Sequence, residues 1–511
     1  MSRILTLLVI AFTLGAVSAQ DEPEKKPAEQ PEKEEDKKKA PDRPEPVSKL
    51  ESVEIGGKKV DYEVTAGTIG LPDRENPDKK RAEVFFISYI VEQTDGAPER
   101  PISFCFNGGP GSSSVWLHLG AFGPRRVQLD ETGTGETLAA PPYGLVDNEH
   151  SILDTTDLVF IDPVSTGFSR AEEQKKAGEF HGFDGDIESV GQFIHQYCSK
   201  HGRWNSPKYI MGESYGGLRA GGLAEHLQQR YGMYLNGIVL VSAVLDFSTI
   251  LFSDDNDLPY ELFLPSYAAS AKFHGQSTAE SPAAAHAKAL SFIEKDYTSA
   301  LRAGSALTDE KRAQIVKELA ELTGLSEAEV DRADLRLNSS YFRKLLLRDE
   351  GHSVGRFDGR VVGIDAEKAP NYPDYDSSYS VVYGPFASAF NHYLRVEIGF
   401  ESEDVYEVLS RNVHPWDYKR FTNRYVSVTS KLGEAMTLNP HLRVFAAAGY
   451  YDLATPPAAI EHSLAHLPID RTLKDNIEVY YYDGGHMMYT NLKALAQLKE
   501  DLAGFLKTEK E

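Results

Sequence analysis

One short run around Ser214 restricts the fold of this 511-residue chain more than any other feature. Residues 208–211 are typical of a buried strand, and residues 218–231 have a helical pattern that follows several small side chains. Between them, residues 212–216 form the motif Gly-Glu-Ser-Tyr-Gly. Because glycine accepts close contacts and backbone conformations that larger residues avoid, this run predicts a strand, a tight turn with the serine at its tip, and a helix.

Predicted strands and helices alternate along much of the chain. Short apolar runs rich in Val, Ile and Phe predict strands at residues 84–91, 102–106, 157–161, 208–211, 237–243, 442–448 and 477–482. Helical patterns lie at residues 187–197, 218–231 and 491–506. Continuous apolar runs, such as that at residues 157–161, are expected of strands buried on both faces. The alternation predicts an α/β fold with a mostly parallel sheet and helices on both faces.

Two further polar residues follow predicted strands, as Ser214 does. Asp452 comes shortly after residues 442–448, and His486 comes shortly after residues 477–482. A serine needs a base and an orienting acid to act as a nucleophile. The order Ser, Asp, His at strand ends is typical of the α/β-hydrolase fold, with Ser214 on its strand–turn–helix. Asp483 is closer to the histidine in sequence, but we interpret it as a turn residue.

A glycine-rich segment, residues 107–114, follows the predicted strand at residues 102–106. Glycines let backbone N–H groups approach an oxygen that becomes negatively charged during a reaction. The segment has no Lys-Ser or Lys-Thr pair at the spacing of a phosphate-binding loop. We expect an oxyanion-binding loop here, and the alternative is an ordinary glycine-rich turn.

The chain divides by pattern into a sheet domain and an insertion. Residues 48–247 and 425–511 carry the predicted strands and the candidate catalytic residues, so we assign them to one α/β-hydrolase domain. Residues 248–424 are rich in helices and loops and show no run typical of a buried parallel strand. We expect this segment to be an inserted cap over the ends of the strands.

The first residues have the pattern of a signal peptide. Arg3 is followed by an uncharged apolar stretch at residues 4–17 and by small residues at the position of cleavage. The stretch is short for a membrane span, so residues 1–19 are predicted to be removed and the mature protein to have no membrane span. Residues 20–47 are mostly Glu, Lys, Asp and Pro, a composition that predicts a disordered linker.

Charge and cysteine content exclude several classes of function. The formal net charge is -23 at pH 7, which argues against nucleic acid as a partner. Cys105 and Cys198 can form one disulfide at most, and Cys105 lies in an apolar run that favours a buried thiol. No spacing of ligands typical of a metal site occurs, so we expect no metal and no cofactor. Whether the two cysteines pair, and the oligomeric state, stay open.

Three ordered motifs resemble those of the serine carboxypeptidase family, peptidase family S10, and the chain looks like a bacterial-type member of it. The motifs are residues 107–114, 212–217 and 485–487, supported by residues 161–169 and 449–452. The resemblance covers roughly residues 80–250 and 425–495. It implies that Ser214 is the nucleophile, His486 the base and Asp452 the residue that orients it.

The same resemblance implies where substrate binds. The backbone N–H groups of Gly109 and Tyr215 form the oxyanion hole. Asn107, Gly108 and Glu213 bind the C-terminal carboxylate of the substrate. Glu213 can donate a hydrogen bond to a carboxylate only while it is protonated, which fits the tendency of this family toward acidic pH.

The chain departs from the family pattern at Ala121, where a second glutamate is usual. Arg125 and Arg126 follow shortly after, and an arginine can bind a carboxylate through two hydrogen bonds at neutral pH. We therefore hypothesise that Arg125 is a carboxylate partner and that the enzyme depends less on acidic pH than its relatives. The alternative is that both arginines are surface charges.

These features predict an exported, serine-type carboxypeptidase that acts on peptides, in a secreted or periplasmic location. An esterase or acyltransferase with the same machinery is the alternative, since one fold supports many reactions. A binding protein without catalytic activity is a third interpretation, and the complete set of Ser214, Asp452 and His486 argues against it. The preference for particular side chains has no readable signal in the sequence.

Overall fold

The computed structural model describes residues 44–507, apart from residues 74, 94, 95, 131 and 132. The predicted signal peptide at residues 1–19 and all but the last four residues of the predicted linker at residues 20–47 lie outside the described residues. The described residues belong to one compact unit that starts at Pro44.

A large mixed sheet organises these residues. In chain order the strands are β1 (Val47–Ile55), β2 (Lys58–Pro72), β3 (Lys80–Val91), β4 (Ile102–Phe106), β5 (Arg125–Gln128), β6 (Gly144–Asp147), β7 (Asp157–Ile161), β8 (Arg170–Ala171), β9 (Lys208–Glu213), β10 (Gly237–Val241), β11 (His352–Val354), β12 (Val362–Ile364), β13 (Arg443–Gly449) and β14 (Ile477–Tyr482). The sheet has the order β1-β2-β3-β7-β4-β9-β10-β13-β14, and β8 pairs with β3. The strands from β7 to β14 in this order run parallel to one another.

The central strands are buried on both faces. Every residue of β4, β7, β9, β10 and β13 is buried, which explains their continuous apolar runs. The predicted α/β fold with a mostly parallel sheet is confirmed, and the predicted strands correspond to β3, β4, β7, β9, β10, β13 and β14.

Helices cover both faces of the sheet. In chain order the α-helices of the described residues are α1 (Phe183–Lys200), α2 (Gly216–Tyr231), α3 (Leu258–Phe273), α4 (Pro282–Phe292), α5 (Thr298–Ala303), α6 (Asp309–Thr323), α7 (Glu327–Arg332), α8 (Ser339–Leu345), α9 (Ser377–His392), α10 (Thr429–Leu438), α11 (Pro457–Ala465) and α12 (Leu492–Lys507). Buried side chains of α1, α2, α10 and α11 share one hydrophobic core with the sheet. Those of α9 and α12 share a second core with the opposite face.

The chain between β10 and β13 is mostly helical. Helices α3 to α8 pack around a third hydrophobic core of their own, and β11 and β12 form a small antiparallel hairpin. This segment includes the whole of the insertion expected at residues 248–424, and its role as a cap stays a prediction.

Strands β1 and β2 add an antiparallel edge that the sequence patterns did not indicate. In β1 only Val53 and Ile55 are buried, and the other residues are partly or fully exposed. A strand that faces water along most of its length needs few apolar residues, so its alternation is weak.

Both cysteines lie in the interior as free thiols. Cys105 on β4 and Cys198 on α1 are buried and do not pair with each other. Burial raises the pKa of both thiols, so neither has the lowered pKa of a reactive cysteine. Among the described residues, no helix has the length and apolar character that a membrane crossing requires.

A buried ion pair joins α1 to α2. Arg219 is 1% exposed and Asp186 is 2% exposed, and Arg219 Nε lies 2.9 Å from Asp186 Oδ2. Arg219 Nη1 also donates to the carbonyl of Asn107 at 2.5 Å. The pair therefore connects both helices to the segment that follows β4.

We expect Asp186→Ala to destabilise the protein strongly. It leaves the Arg219 charge buried without its carboxylate, a loss of about 3–5 kcal/mol in the free energy of unfolding. Urea unfolding followed by circular dichroism measures this. Asp61→Ala is the matched control, because it removes an exposed partner of Lys59 and should change the stability little. Equal effects of the two substitutions would contradict the prediction.

Candidate active site

Ser214 sits in a strained turn between β9 and α2. Its φ is 60°, in the left-handed region that non-glycine residues seldom adopt. The amide of Ser214 donates to the carbonyl of Val241 on β10 at 3.1 Å. An added Cβ at Gly212 would lie 2.3 Å from the carbonyl oxygen of Gly216. The glycines therefore allow the sharp turn that lifts Ser214 above the end of the sheet, as in a nucleophile elbow.

His486 and Asp452 form a buried pair at the ends of the two neighbouring strands. His486 Nδ1 lies 2.9 Å from Asp452 Oδ2, and Asp452 is 0% exposed. Asp452 Oδ1 accepts from the backbone N–H groups of Ala454 at 2.7 Å and Thr455 at 2.9 Å. Since Nδ1 is held by the carboxylate, Nε2 is the ring nitrogen that is free to accept a proton.

The charge of Asp452 stabilises the protonated form of His486. Burial alone lowers the pKa of this histidine, but the charge and hydrogen bond of Asp452, together with the charge of Glu213, raise it above its usual value. A raised pKa makes His486 a stronger base.

Two residues that support His486 were not found from the sequence. Thr455 Oγ1 lies 2.9 Å from His486 Nδ1, 3.0 Å from Asp452 Oδ2 and 2.7 Å from the carbonyl oxygen of Ser242. The ring of Phe357 stacks on the imidazole at 5.0 Å between centroids, and its carbonyl accepts from the amide of His486. Phe357 comes from the β11–β12 hairpin connection, where no sequence pattern marks it.

The glycine loop lies directly against the turn of Ser214. An added Cβ at Gly108 would lie 2.4 Å from the amide nitrogen of Tyr215 and 2.8 Å from the carbonyl oxygen of Glu213. Gly109 has a φ of 101°, which favours glycine. Farther along the loop, the carbonyl of Gly111 accepts from the amide of Ser410 at 2.8 Å. The loop is thus held between the turn and the segment before α10.

The side chain of Asn107 is fixed through its oxygen, whereas its nitrogen lacks a well-aligned partner. Its side-chain oxygen accepts from the amide of Leu117 at 3.1 Å, and its carbonyl accepts from Arg219. Its side-chain Nδ2 is buried and has no partner among the described residues at good hydrogen-bond geometry, although the side chain lies close enough to Glu213 to lower the pKa of that acid. Because Asn107 lines the cavity at Ser214, that N–H group can donate to a ligand.

Glu213 is a buried acid beside the serine. It is 3% exposed, and its Oε2 accepts from the hydroxyl of Tyr489 at 2.7 Å. Burial raises the pKa of Glu213 to about 7, although the charge of His486 and the hydrogen bond from Tyr489 lower it. The carboxyl group therefore holds its proton at pH values where an exposed glutamate is ionised.

One cavity of about 560 Å³ brings most of the predicted site residues together. Ser214, His486, Glu213 and residues 107–109 line it. Asp452 lies behind His486, and Tyr215 contributes the backbone of the turn. The chain between β10 and β13 supplies other lining side chains, among them Arg356, Phe357, Tyr379, Arg411 and His414.

The structure does not place Arg125 at this cavity. Its guanidinium bonds to Asp147 on β6 and lies 3.1 Å from Glu397, because the β5–β6 hairpin turns it away. Arg126 lines a separate, smaller cavity. Ala121 is 1% exposed and belongs to the π-helical turn Leu117–Phe122. The hypothesis that Arg125 replaces the missing glutamate therefore has no geometric support.

The sheet order and the strand–turn–helix at Ser214 define a protein of the α/β-hydrolase class. The family model described as serine carboxypeptidase matches residues 74–499, and the chain belongs to that family.

Similar proteins of known identity agree with this assignment. The pheromone-processing carboxypeptidase KEX1 of Saccharomyces cerevisiae is 35% identical over 162 residues, which are 30% of this chain and 20% of that protein. Serine carboxypeptidase-like 45 of Arabidopsis thaliana is 30% identical over 185 residues, 34% of this chain and 35% of that protein. These matches span only about a fifth and a third of the relatives' lengths.

A solved structure shows the same fold over nearly the whole chain. The crystal structure of KEX1(delta)p, a prohormone-processing carboxypeptidase from Saccharomyces cerevisiae, superposes with a TM-score of 0.54 at 18% identity. The match covers 87% of this chain and 91% of that one. The predicted α/β-hydrolase fold is confirmed.

We expect Gly108→Ala to reduce activity sharply. The added Cβ would displace the loop from the amide of Tyr215, and a misplaced oxyanion site costs about 100-fold or more in kcat/KM. Hydrolysis of a chromogenic ester measures the loss. Gly178→Ala is the control, since an added Cβ there meets nothing within 4 Å. A Gly108→Ala enzyme as active as this control would refute the prediction.

Proposed function

We propose that this protein is an exported serine carboxypeptidase that removes C-terminal residues from peptides through an acyl-enzyme on Ser214. The observation that carries the proposal is the presence of Glu213, a buried acid with a raised pKa, in the same cavity as Ser214 and His486. A site that only hydrolyses esters has no need for a protonated carboxyl group beside the nucleophile.

In the first half of the reaction, Ser214 Oγ attacks the carbonyl carbon of the last peptide bond. His486 Nε2 accepts the serine proton, and Asp452 stabilises the resulting imidazolium through Nδ1. The negative oxygen that forms lies against the backbone N–H groups of Gly109 and Tyr215, which are the proposed oxyanion hole. His486 then donates the proton to the departing amino acid.

In the second half, water takes the place of the departing amino acid. His486 accepts a proton from the water, whose oxygen attacks the acyl carbon, and the proton returns to Ser214 Oγ as the ester bond breaks. The shortened peptide leaves with a new C-terminal carboxylate.

Three hydrogen-bond donors account for the proposed binding of the C-terminal carboxylate. Protonated Glu213, the side-chain N–H of Asn107 and the backbone N–H of Gly108 are proposed to bind its two oxygens. A carboxylate that enters a buried site needs such donors to offset its lost hydration. Two observations support this role. Burial raises the pKa of Glu213 to about 7, and the side-chain nitrogen of Asn107 has no partner at good hydrogen-bond geometry among the described residues.

Several features support the wider proposal. The signal-peptide pattern at residues 1–19 supports export to a secreted or periplasmic location. Residues 248–424 are proposed to act as the cap, because Arg356, Tyr379 and Arg411 from that segment line the cavity. The names of the similar proteins, carboxypeptidases of yeast and plant, support peptides as substrates.

The Ser214→Ala variant should retain its fold and lose catalysis. Because Ser214 supplies the attacking oxygen, we expect kcat/KM for a blocked dipeptide to fall by about 10⁴-fold or more. Mass spectrometry should show one covalent adduct with a serine-directed fluorophosphonate in the parent enzyme and none in the variant.

Substrate pairs distinguish the proposed reaction from its alternative. A carboxypeptidase should cleave a blocked dipeptide with a free C-terminus faster than the same dipeptide amide. An esterase should favour ester substrates and show no preference for the free acid. Full function in cells after Ser214→Ala would instead support a binding protein without catalysis.

The pH dependence should differ between these two dipeptides. His486 must be neutral to accept a proton, so both rates should fall as pH decreases through its raised pKa. Glu213 must be protonated to bind a carboxylate, so only the free acid should lose kcat/KM as pH rises above about 7. We expect a free-acid optimum near neutral pH. A sharp optimum at about pH 4–5 for the free acid would contradict this.

A further inference from the structure

The hydroxyl of Tyr489 holds one oxygen of Glu213 from behind the cavity. Tyr489 belongs to the short 3-10 helix Met488–Thr490, which follows His486 closely in the chain. Its side chain is 1% exposed, and the hydroxyl donates to Glu213 Oε2 at 2.7 Å. A phenol has one hydrogen to donate, so the single donor of Tyr489 is committed to Glu213.

The backbone fixes the ring of Tyr489 in place. An added Cβ at Gly120 would lie 2.5 Å from Cε2 of Tyr489 and 3.2 Å from Cζ of Phe386. The ring thus packs directly on the backbone of the π-helical turn, at a position that any side chain would block. Such close packing leaves the hydroxyl little freedom to leave Glu213.

We propose that Tyr489 is a positioning residue that prepares Glu213 to bind the C-terminal carboxylate of the substrate. By occupying Oε2, the hydroxyl leaves Oε1 to carry the proton and to donate it in a hydrogen bond to the substrate. This inference deepens the proposed carboxypeptidase function and rests on it.

The surroundings of Glu213 show why one hydrogen bond matters. Burial and the charge of Asp452 favour the neutral form of Glu213. The charge of His486, the hydroxyl of Tyr489 and the amide of Asn107 favour the ionised form. The titratable and charged side chains at this acid and along the same cavity are His486, Asp452, Tyr489, Arg356, Tyr379, Arg411 and His414. Loss of the Tyr489 donor removes a group that stabilises the carboxylate, so it should raise the pKa of Glu213.

The test uses the ratio of two rates. One substrate is a blocked dipeptide with a free C-terminus, and the other is its C-terminal amide. Ser214 and His486 act equally on both, so the ratio of kcat/KM values reports carboxylate recognition alone. In the parent enzyme the ratio should be high at acidic pH and fall as Glu213 loses its proton.

Tyr489→Phe should move the midpoint of that fall to higher pH by about one unit. KM for the free acid should rise at low pH because Glu213 loses its fixed orientation. Incorporation of 3-fluorotyrosine at position 489 keeps the ring and strengthens the donor, so it should move the midpoint to lower pH. This second variant tests the proposal even if the phenylalanine variant does not fold.

Tyr482→Phe is the matched control. Tyr482 is also a fully buried tyrosine whose hydroxyl donates to a carboxylate, Asp501 Oδ2, at 3.0 Å, and this change should leave the midpoint where it is. Midpoints that do not move in the two Tyr489 variants would overturn the inference. A parent enzyme without preference for the free acid at any pH would instead overturn the proposed function itself.

Discussion

The contact between the glycine loop and the turn of Ser214 positions the other groups of the site. Strands β4 and β9 are neighbours in parallel register, with Phe106 opposite Gly212, so the loop and the turn leave the sheet side by side. At Gly108 the two backbones approach so closely that no Cβ fits between them. The distance between the nucleophile and the loop amides is therefore set by the spacing of the strands, which packing of the core holds constant.

Helix α2 carries this arrangement further into the protein. It begins directly after Ser214 and bears Arg219, whose guanidinium binds both Asp186 on α1 and the carbonyl of Asn107. A buried ion pair has a large desolvation cost. Here the guanidinium of Arg219 donates to Asp186 and also to the loop, so it ties the loop to the helix that follows Ser214. The loop and the serine thus respond together to any shift of α2, which favours a constant geometry during catalysis.

The sequence predicted the elements whose environment leaves a regular pattern of apolar residues. Strands buried on both faces stand out as continuous apolar runs, and Ser214, Asp452 and His486 follow the ends of β9, β13 and β14 in that order. The edge strand β1 lacks such a run because water covers most of its length. Thr455, Phe357 and Tyr489 act through contacts between distant segments, which neither spacing nor composition encodes. Arg125 pairs with Asp147 and Glu397 away from the cavity, and nearness in sequence does not tell which way a hairpin directs its side chains.

The absence of Arg125 from the cavity changes the physical basis of the expected pH dependence. An arginine stays charged at all accessible pH values, so recognition by Arg125 would persist into the alkaline range. In the proposed site Glu213 binds a carboxylate only while protonated, and burial raises its pKa to about 7, although its polar neighbours lower it. Activity at neutral pH then depends on the balance between burial and the donors around one acid. Because Tyr489 contributes one of those donors through a ring held against Gly120, the alkaline limit that we propose depends on packing behind the site as much as on the groups within it.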